Sequence, residues 1–367
     1  MTLDLLLLGF GHVGRRFVRL LGERADRLAQ EEGLTVRLAG VATRRSGCVR
    51  ATAPAGLDPA AALAAVEGGH RLETLADVAP AADALALIRD AARDNPAAAE
   101  GRLIVVETTV LDIARGRPAI DHVQAALAAG AHVVTANKGP VAFAYDTLKA
   151  AADRAGRRFL FEGAVMDGIP VFNLARETMP VVTVYGFRGV INSTTNYILT
   201  AMEEGRGFEQ ALAEMQAAGI AEADASLDVD GWDAAAKTAA LANVLMGAGL
   251  TPHDVRRTGI GGVARAAVEA AAAGGHRIKL VCSATRRGGT IETRVAPEEL
   301  PAADLLAGLR GGENALEIDT DLLGRFAIVQ RDSSLTQTAY ALLADVVTVG
   351  RGPSPSAPPP MRPDRTP

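Results

Sequence analysis

Cysteine is scarce in this 367-residue chain. The two present, Cys48 and Cys282, fall in no ligand-like spacing, so neither a disulfide framework nor a zinc site organises the fold. Positive charge is not in excess: 38 Lys and Arg against 43 Asp and Glu leave a net charge of −5, which argues against nucleic acid as the main partner. Long hydrophobic runs are missing too. The apolar run over 3–8 is too short to span a membrane and lacks the basic flank of a signal peptide, so a soluble cytoplasmic protein with no membrane partner is expected. What the chain does have is apolar content. With 49% hydrophobic residues it can fill two domains, or one large discontinuous one.

The run over 3–8 reads as a strand buried on both sheet faces. It leads into Gly9-Phe10-Gly11-His12-Val13-Gly14 and then an amphipathic stretch with Phe17, Val18, Leu20 and Leu21. Strand, glycine turn and helix in that order suit a dinucleotide. The glycines admit a tight turn and close approach of pyrophosphate, and the helix N-terminus offers free N–H groups. A purely structural turn is the alternative, and His12 reads as a variable loop residue. The next strand is predicted over 36–42. No acid follows it to bind ribose hydroxyls; Thr43-Arg44-Arg45-Ser46 stands there instead. Two arginines suit a 2′-phosphate, which favours NADP(H) with NAD(H) as the second choice; an exposed basic turn is the competing reading. Strands over 103–106 and 131–135 lead into Thr108-Thr109 and Ala136-Asn137-Lys138, at the sheet edge where open α/β folds bind ligands. Lys138 is expected in a loop pointing toward that crevice.

Residues 219–237, GIAEADASLDVDGWDAAAK, gather Glu222, Asp224, Asp228, Asp230 and Asp233 and end on Lys237. Trp232, Ala236, Ala240 and Leu241 recur at helical spacing, so Asp233 and Lys237, four apart, share a helix face. As a surface ion pair they contribute only about 0.3–0.5 kcal/mol. A calcium loop does not fit, because no third acid and no closing Glu fall at the required positions. Helices are predicted over 118–129, 142–155, 171–177, 208–218 and 298–309, and strands over 158–161, 183–188, 277–284, 290–295, 314–320 and 326–330. Segments beyond about 300 are expected to return to the first domain and the dimer contact. The proline-rich 351–367 is expected to be disordered.

Five segments, GFGHVG, TANKGPVA, EGAVMDGIPV, GVINSTTNYIL and GIAEADASLDVDGWDAAAK, make the chain resemble homoserine dehydrogenase, in the family's order, over 1 to about 350. The resemblance implies an α/β fold. A Rossmann-type nucleotide-binding domain would take 1–141 and 330–350, and an α+β catalytic and dimerisation region with a mixed sheet would take 142–329. It implies reversible NAD(P)-dependent oxidation of L-homoserine to L-aspartate 4-semialdehyde by a homodimer, in threonine and methionine biosynthesis. The length leads us to expect no regulatory domain of the ACT type. By position, Lys237 matches the general acid/base, Asp233 its aspartate partner, and Lys138 the lysine near nicotinamide and substrate. Glu222 and Asp228 match acids that contact substrate. The turn with Asn192 and Thr194 suits the substrate carboxylate. The expected cofactor set is Gly9, Phe10, Gly11, His12, Val13, Gly14, Thr43, Arg44, Arg45, Thr108, Thr109 and Lys138. Glu162, Val165, Asp167 and Ile169 align with a monovalent cation site (Na+ or K+) made mostly of backbone carbonyls. A lysine serves as base if burial or a neighbouring cation lowers its pKa, a part that falls to Lys138, whereas Asp233 raises it.

Three positions depart from the family pattern. Ser193 stands where the family has glycine. Met166 and Asp167 stand where it favours small residues. Residues 330–334, Gln-Arg-Asp-Ser-Ser, replace a glycine-rich turn before a helix over 336–345. They motivate two alternatives: a paralogous dehydrogenase of another small amino alcohol or semialdehyde, and a non-catalytic NADP-binding sensor. Intact Glu222, Asp233, Lys138 and Lys237 speak against the second.

Overall fold

Strand β1 (Thr2–Leu8) is the axis of the first sheet. Leu3 and the four leucines after Asp4 are at most 1% exposed, because the strand is flanked by parallel neighbours and covered on both faces. Each such leucine stabilises the fold by roughly 1.5–3 kcal/mol relative to an exposed one. The computed structural model describes residues 1–217 and 225–352, and within them the sheet has the order β4-β3-β2-β1-β5-β6-β7. Strands β2 (Thr35–Ala42), β5 (Leu103–Glu107), β6 (His132–Thr135) and β7 (Phe159–Leu160) run parallel; β3 (Cys48–Ala51) and β4 (Val78–Pro80) finish one edge antiparallel. The strand order reverses at β1, between β2 and β5, which opens a crevice at the carboxyl ends.

The second sheet has the order β13-β12-β8-β10-β11-β9. It comprises β8 (Val184–Val190), β9 (Arg256–Arg257), β10 (His276–Arg287), β11 (Thr290–Pro301), β12 (Asn314–Thr320) and β13 (Arg325–Gln330). Its pairs are antiparallel except β11 with β9, so the sheet is mixed. The helix Trp232–Met246 packs against both this sheet and the helix Lys138–Ala155. Alanines 234, 235, 236, 239, 240 and 242 are all fully buried. Small side chains on every face let that helix sit between two layers, which a one-sided amphipathic helix does not do.

Four expectations are corrected. Residues 298–309 are not helical. β11 runs on to Pro301, paired with β10 as far as His276, and turns follow. Pro301 lacks the N–H a helix needs there, and the long hairpin overrides the local helical pattern. Residues beyond 300 do not all return to the first sheet. β12 and β13 belong to the second, and among the described residues beyond 300 it is the helix Leu335–Gly350 that packs back, against the helix His12–Glu32. β7 extends the first sheet past the boundary expected at 141. Lys138 is the first residue of a helix rather than a loop residue, because Asn137 caps it by accepting the Gly139 N–H at 2.8 Å. Asn before Gly-Pro was the readable signal for that start.

Candidate active site

The glycine turn leaves β1 with Gly9 at φ 91°, the left-handed region. A Cβ on Gly9 would lie 2.6 Å from Thr108 O, and one on Gly14 2.5 Å from Gly9 O, so both positions require glycine. At Gly11 a Cβ would meet nothing, and Gly11 caps the His12–Glu32 helix with no side-chain acceptor. The first-turn N–H groups therefore stand open at a concave backbone, which fits a pyrophosphate. Thr108 Oγ1 fastens the turn by donating to Gly9 O at 2.7 Å. Phe10 is buried in the core with Phe17 and Val18, which leaves only its backbone to face a cofactor. His12 is exposed and Val13 half-buried. Thr43 shapes the next turn, accepting the Ser46 N–H at 2.7 Å and donating to Gly47 O. Arg44 and Arg45 are exposed. Thr109 is engaged by the Glu107 carboxylate through its N–H and its hydroxyl, and its carbonyl accepts Asn137 Nδ2 at 2.9 Å, so its polar groups are taken up within the protein.

A second group of polar side chains gathers where the helix Trp232–Met246 meets the helix Lys138–Ala155. Gly231, at φ 79°, starts the Trp232–Met246 helix and sets Asp233 and Lys237 on one face. Lys237 Nζ lies 3.0 Å from Asp233 Oδ2, and Lys138 Nζ lies 3.1 Å from Asp233 Oδ1. The three side chains are only 15–21% exposed, so this is not a solvated surface pair. Lys237 Nζ also donates to Ile191 O at 2.7 Å. Asn192 Nδ2 donates to Asp228 Oδ1 at 2.7 Å and Asp233 Oδ2 at 2.9 Å, while its Oδ1 takes the Thr195 N–H and caps the helix Ser193–Glu203. One aspartate thus serves two lysines and an amide.

The charges follow from that packing. Burial pushes Asp233 up, but Lys138, Lys237 and the Asn192 bond outweigh it and hold the carboxyl well below the usual range. Burial pushes Lys237 down, but Asp233, Asp167 and Asp228 outweigh it, so its pKa stands above the ordinary lysine value. Burial and the neighbouring Asp233 raise Asp228, opposed by bonds from Asn192 and Thr194 and by Lys237. The expectation that Lys138 lowers the pKa of Lys237 is corrected: Lys138 acts on Asp233, and three carboxylates hold Lys237 as an ammonium. Glu222 lies outside the described residues.

The loop expected to hold a cation runs past Glu162. Both carboxylate oxygens of Glu162 accept N–H groups of Val171, Phe172 and Asn173, capping the helix Phe172–Thr178. Only its backbone carbonyl is left for an ion. Val165 is buried and Ile169 half-buried. Asp167 sits at φ 50°, and its carboxylate accepts Gln330 Nε2 at 2.9 Å and Thr338 Oγ1 at 3.0 Å. Among the described residues no cluster of three His, Cys, Asp or Glu side chains is placed to hold a metal ion. The remaining oxygens are carbonyls, a donor set compatible with Na+ or K+. Asn314 was missed in the sequence; only the fold shows it bonded to Ser193 and Gln330.

Comparison with known proteins bears on the whole chain. The family profile described as "Homoserine dehydrogenase" matches residues 170–347, and that described as "Homoserine dehydrogenase, NAD binding domain" matches 9–162. An NAD(+)-dependent homoserine dehydrogenase of Pseudomonas canavaninivorans is 36% identical over 94% of this chain and 95% of its own length. The homoserine dehydrogenase of Methanocaldococcus jannaschii is 33% identical over 95% and 98%. The crystal structure of a homoserine dehydrogenase from Thiobacillus denitrificans superposes with a TM-score of 0.77 at 32% identity, covering 96% of this chain and 74% of that one. No helix among the described residues is long and apolar enough to cross a membrane.

Proposed function

We propose the following roles from the premise that this chain belongs to the homoserine dehydrogenase family. Its activity is the reversible NAD(P)-dependent oxidation of L-homoserine to L-aspartate 4-semialdehyde, a step in amino-acid biosynthesis. The nicotinamide cofactor supplies or accepts the hydride. The glycine turn and the open first turn of the His12–Glu32 helix hold its pyrophosphate. Lys237 moves the proton. For reduction it is ready as the acid, because Asp233, Asp167 and Asp228 keep it charged. For oxidation it must first give that proton up, and Lys138, competing for Asp233, limits how firmly the carboxylate holds it. Asp228 and Glu222 receive the substrate ammonium, and the Asn192 turn with Thr194 receives its carboxylate. The observation that carries these roles is the half-buried Lys138–Asp233–Lys237 arrangement, in which two lysines share one carboxylate.

Three finer readings go with this. Arg44 and Arg45 favour NADP(H): both are exposed in the turn that follows β2. The NAD(+) dependence named for the Pseudomonas canavaninivorans relative points the other way. A monovalent cation binds the carbonyls of Glu162, Val165, Asp167 and Ile169. The protein is a homodimer. Val181, Leu322 and Leu323 support this, being 55–66% exposed on segments tied by the Thr183–Asp321 bonds. Sedimentation giving a monomer at micromolar concentration would remove that reading.

The deciding assay follows absorbance at 340 nm with L-homoserine and NADP+ or NAD+ in parallel, in sodium, potassium or tetramethylammonium buffer. Turnover is expected with homoserine, faster with NADP+, and dependent on the small cation. Replacing both arginines (Arg44→Ala with Arg45→Ala) is expected to raise KM for NADP+ by about tenfold or more, through loss of charge-assisted bonds, and to spare NAD+. Equal effects on both cofactors would reduce the pair to a basic turn.

A further inference from the structure

Ser193, Asp167 and Gln330 are remote in sequence, yet one chain of hydrogen bonds joins them. Asn314 Nδ2, at the start of β12, donates to Ser193 Oγ at 2.9 Å and Gln330 Oε1 at 3.0 Å. Gln330 Nε2, at the end of β13, donates to Asp167 Oδ2 at 2.9 Å and Gln337 Oε1 at 2.8 Å. Thr338 Oγ1 closes the far end on Asp167 Oδ1 at 3.0 Å. Gln330 is 1% exposed and Asn314 4%. The direction of the chain is determined. A reversed Gln330 amide would set its oxygen against the Asp167 carboxylate, so its two N–H groups must face Asp167 and Gln337. Asn314 Oδ1 is left buried without a partner, but the remaining bonds tie together the segments they join. Here those segments are the Asp167 loop, the first turn of the Leu335–Gly350 helix and the first turn of the Ser193–Glu203 helix. Backbone contact reinforces the first joint, since a Cβ on Gly168 would collide with Gln337 O.

Ser193 matters because of the two residues before it. Ile191 O accepts from Lys237, and Asn192 Nδ2 binds both Asp228 and Asp233. Three consecutive residues therefore carry the lysine, the two aspartates and the end of the chain. We propose that Asp167, Gln330 and Asn314 are positioning residues, a strap that holds Ser193, and through it the Asn192 turn, at a set distance from Lys237 for homoserine to bind. The helix Leu335–Gly350, which the strap also ties, packs against the helix His12–Glu32, but the end that holds Ser193 lies beside the Asn192 turn and Lys237, so the larger effect is expected on homoserine. The proposal rests on the site roles given above.

The test is steady-state kinetics of Gln330→Leu, Ser193→Ala and the double variant, with each substrate varied. Each single change is expected to raise KM for L-homoserine about tenfold, the effect of one buried hydrogen bond, while KM for the cofactor stays within about twofold. The double variant is expected to resemble the worse single one, because the strap is already cut, whereas independent sites would multiply. Ser193→Ala is the smaller change and keeps the test open should Gln330→Leu fold poorly. Multiplying effects, an equal rise in cofactor KM, or an unchanged homoserine KM would overturn the strap. A wild-type enzyme inert toward homoserine would overturn the functional reading beneath it as well, and the wild-type control separates the two failures.

Discussion

Lys237→Ala is expected to lower kcat for homoserine oxidation by about 10²-fold or more while leaving cofactor affinity within about twofold. The lysine is the proposed proton carrier; it stands among half-buried acids, away from the glycine turn. Its ammonium is held by Asp233 at 3.0 Å and by Ile191 O at 2.7 Å, so it is oriented as well as charged. Initial rates at 340 nm and cofactor titration by fluorescence check the two parts. Near-normal turnover would transfer the role to another group, with Lys138 the first candidate, because it shares the same carboxylate. The pH dependence has a definite sign. The folded pKa of Lys237 is raised, so the charge contributes stability in full below the unfolded lysine value near ~10.4, and this is lost as pH rises through the folded value. Aldehyde reduction, which needs the charged form, should therefore persist through the ordinary lysine range, whereas homoserine oxidation should climb with pH.

Asp233→Asn is expected to have the largest effect on stability. It leaves two largely buried ammonium groups facing an amide. Removing one partner of a buried ion pair costs about 3–5 kcal/mol, mainly because the remaining charge is uncompensated. Urea denaturation checks it, and kcat should fall together with stability, since Lys237 loses the group that orients it. A change below about 0.5 kcal/mol would mean that the site is solvated like a surface pair. Because the folded pKa of Asp233 is depressed, its contribution is complete above the unfolded carboxylate value near ~3.9 and is lost as pH falls toward the folded value. The wild-type protein should lose this part of its stability on acidification, and the Asn variant should not.

Much of the nucleotide half was legible in the sequence. A leucine-rich run, a glycine turn and an amphipathic helix are local signals, and β1, Gly9, Gly14 and the His12–Glu32 helix follow from them. The helical spacing after Gly231 likewise placed Asp233 and Lys237 on one face. The failures were of another kind. Residues 298–309 carry a helical pattern, yet 298–301 pair with a strand that no local window contains, and turns follow them. Lys138 follows a strand that reads as ending in a loop, and the Asn137 cap that starts a helix there is a single-residue signal.

The sequence by itself determined which groups are candidates for the proposed chemistry: two lysines, a set of acids and a glycine turn suited to phosphate, each announced by neighbours in the chain. Only the tertiary structure decided which of them meet. It placed Lys138 and Lys237, 99 residues apart in the numbering, on opposite oxygens of one aspartate. It also joined Ser193, Asn314, Gln330 and Asp167 into one strap. The physical reason is that protonation states and side-chain positions depend on burial and on charges a few ångströms away. Those neighbours come from strands and helices whose proximity is a property of the packed fold, not of any stretch of sequence.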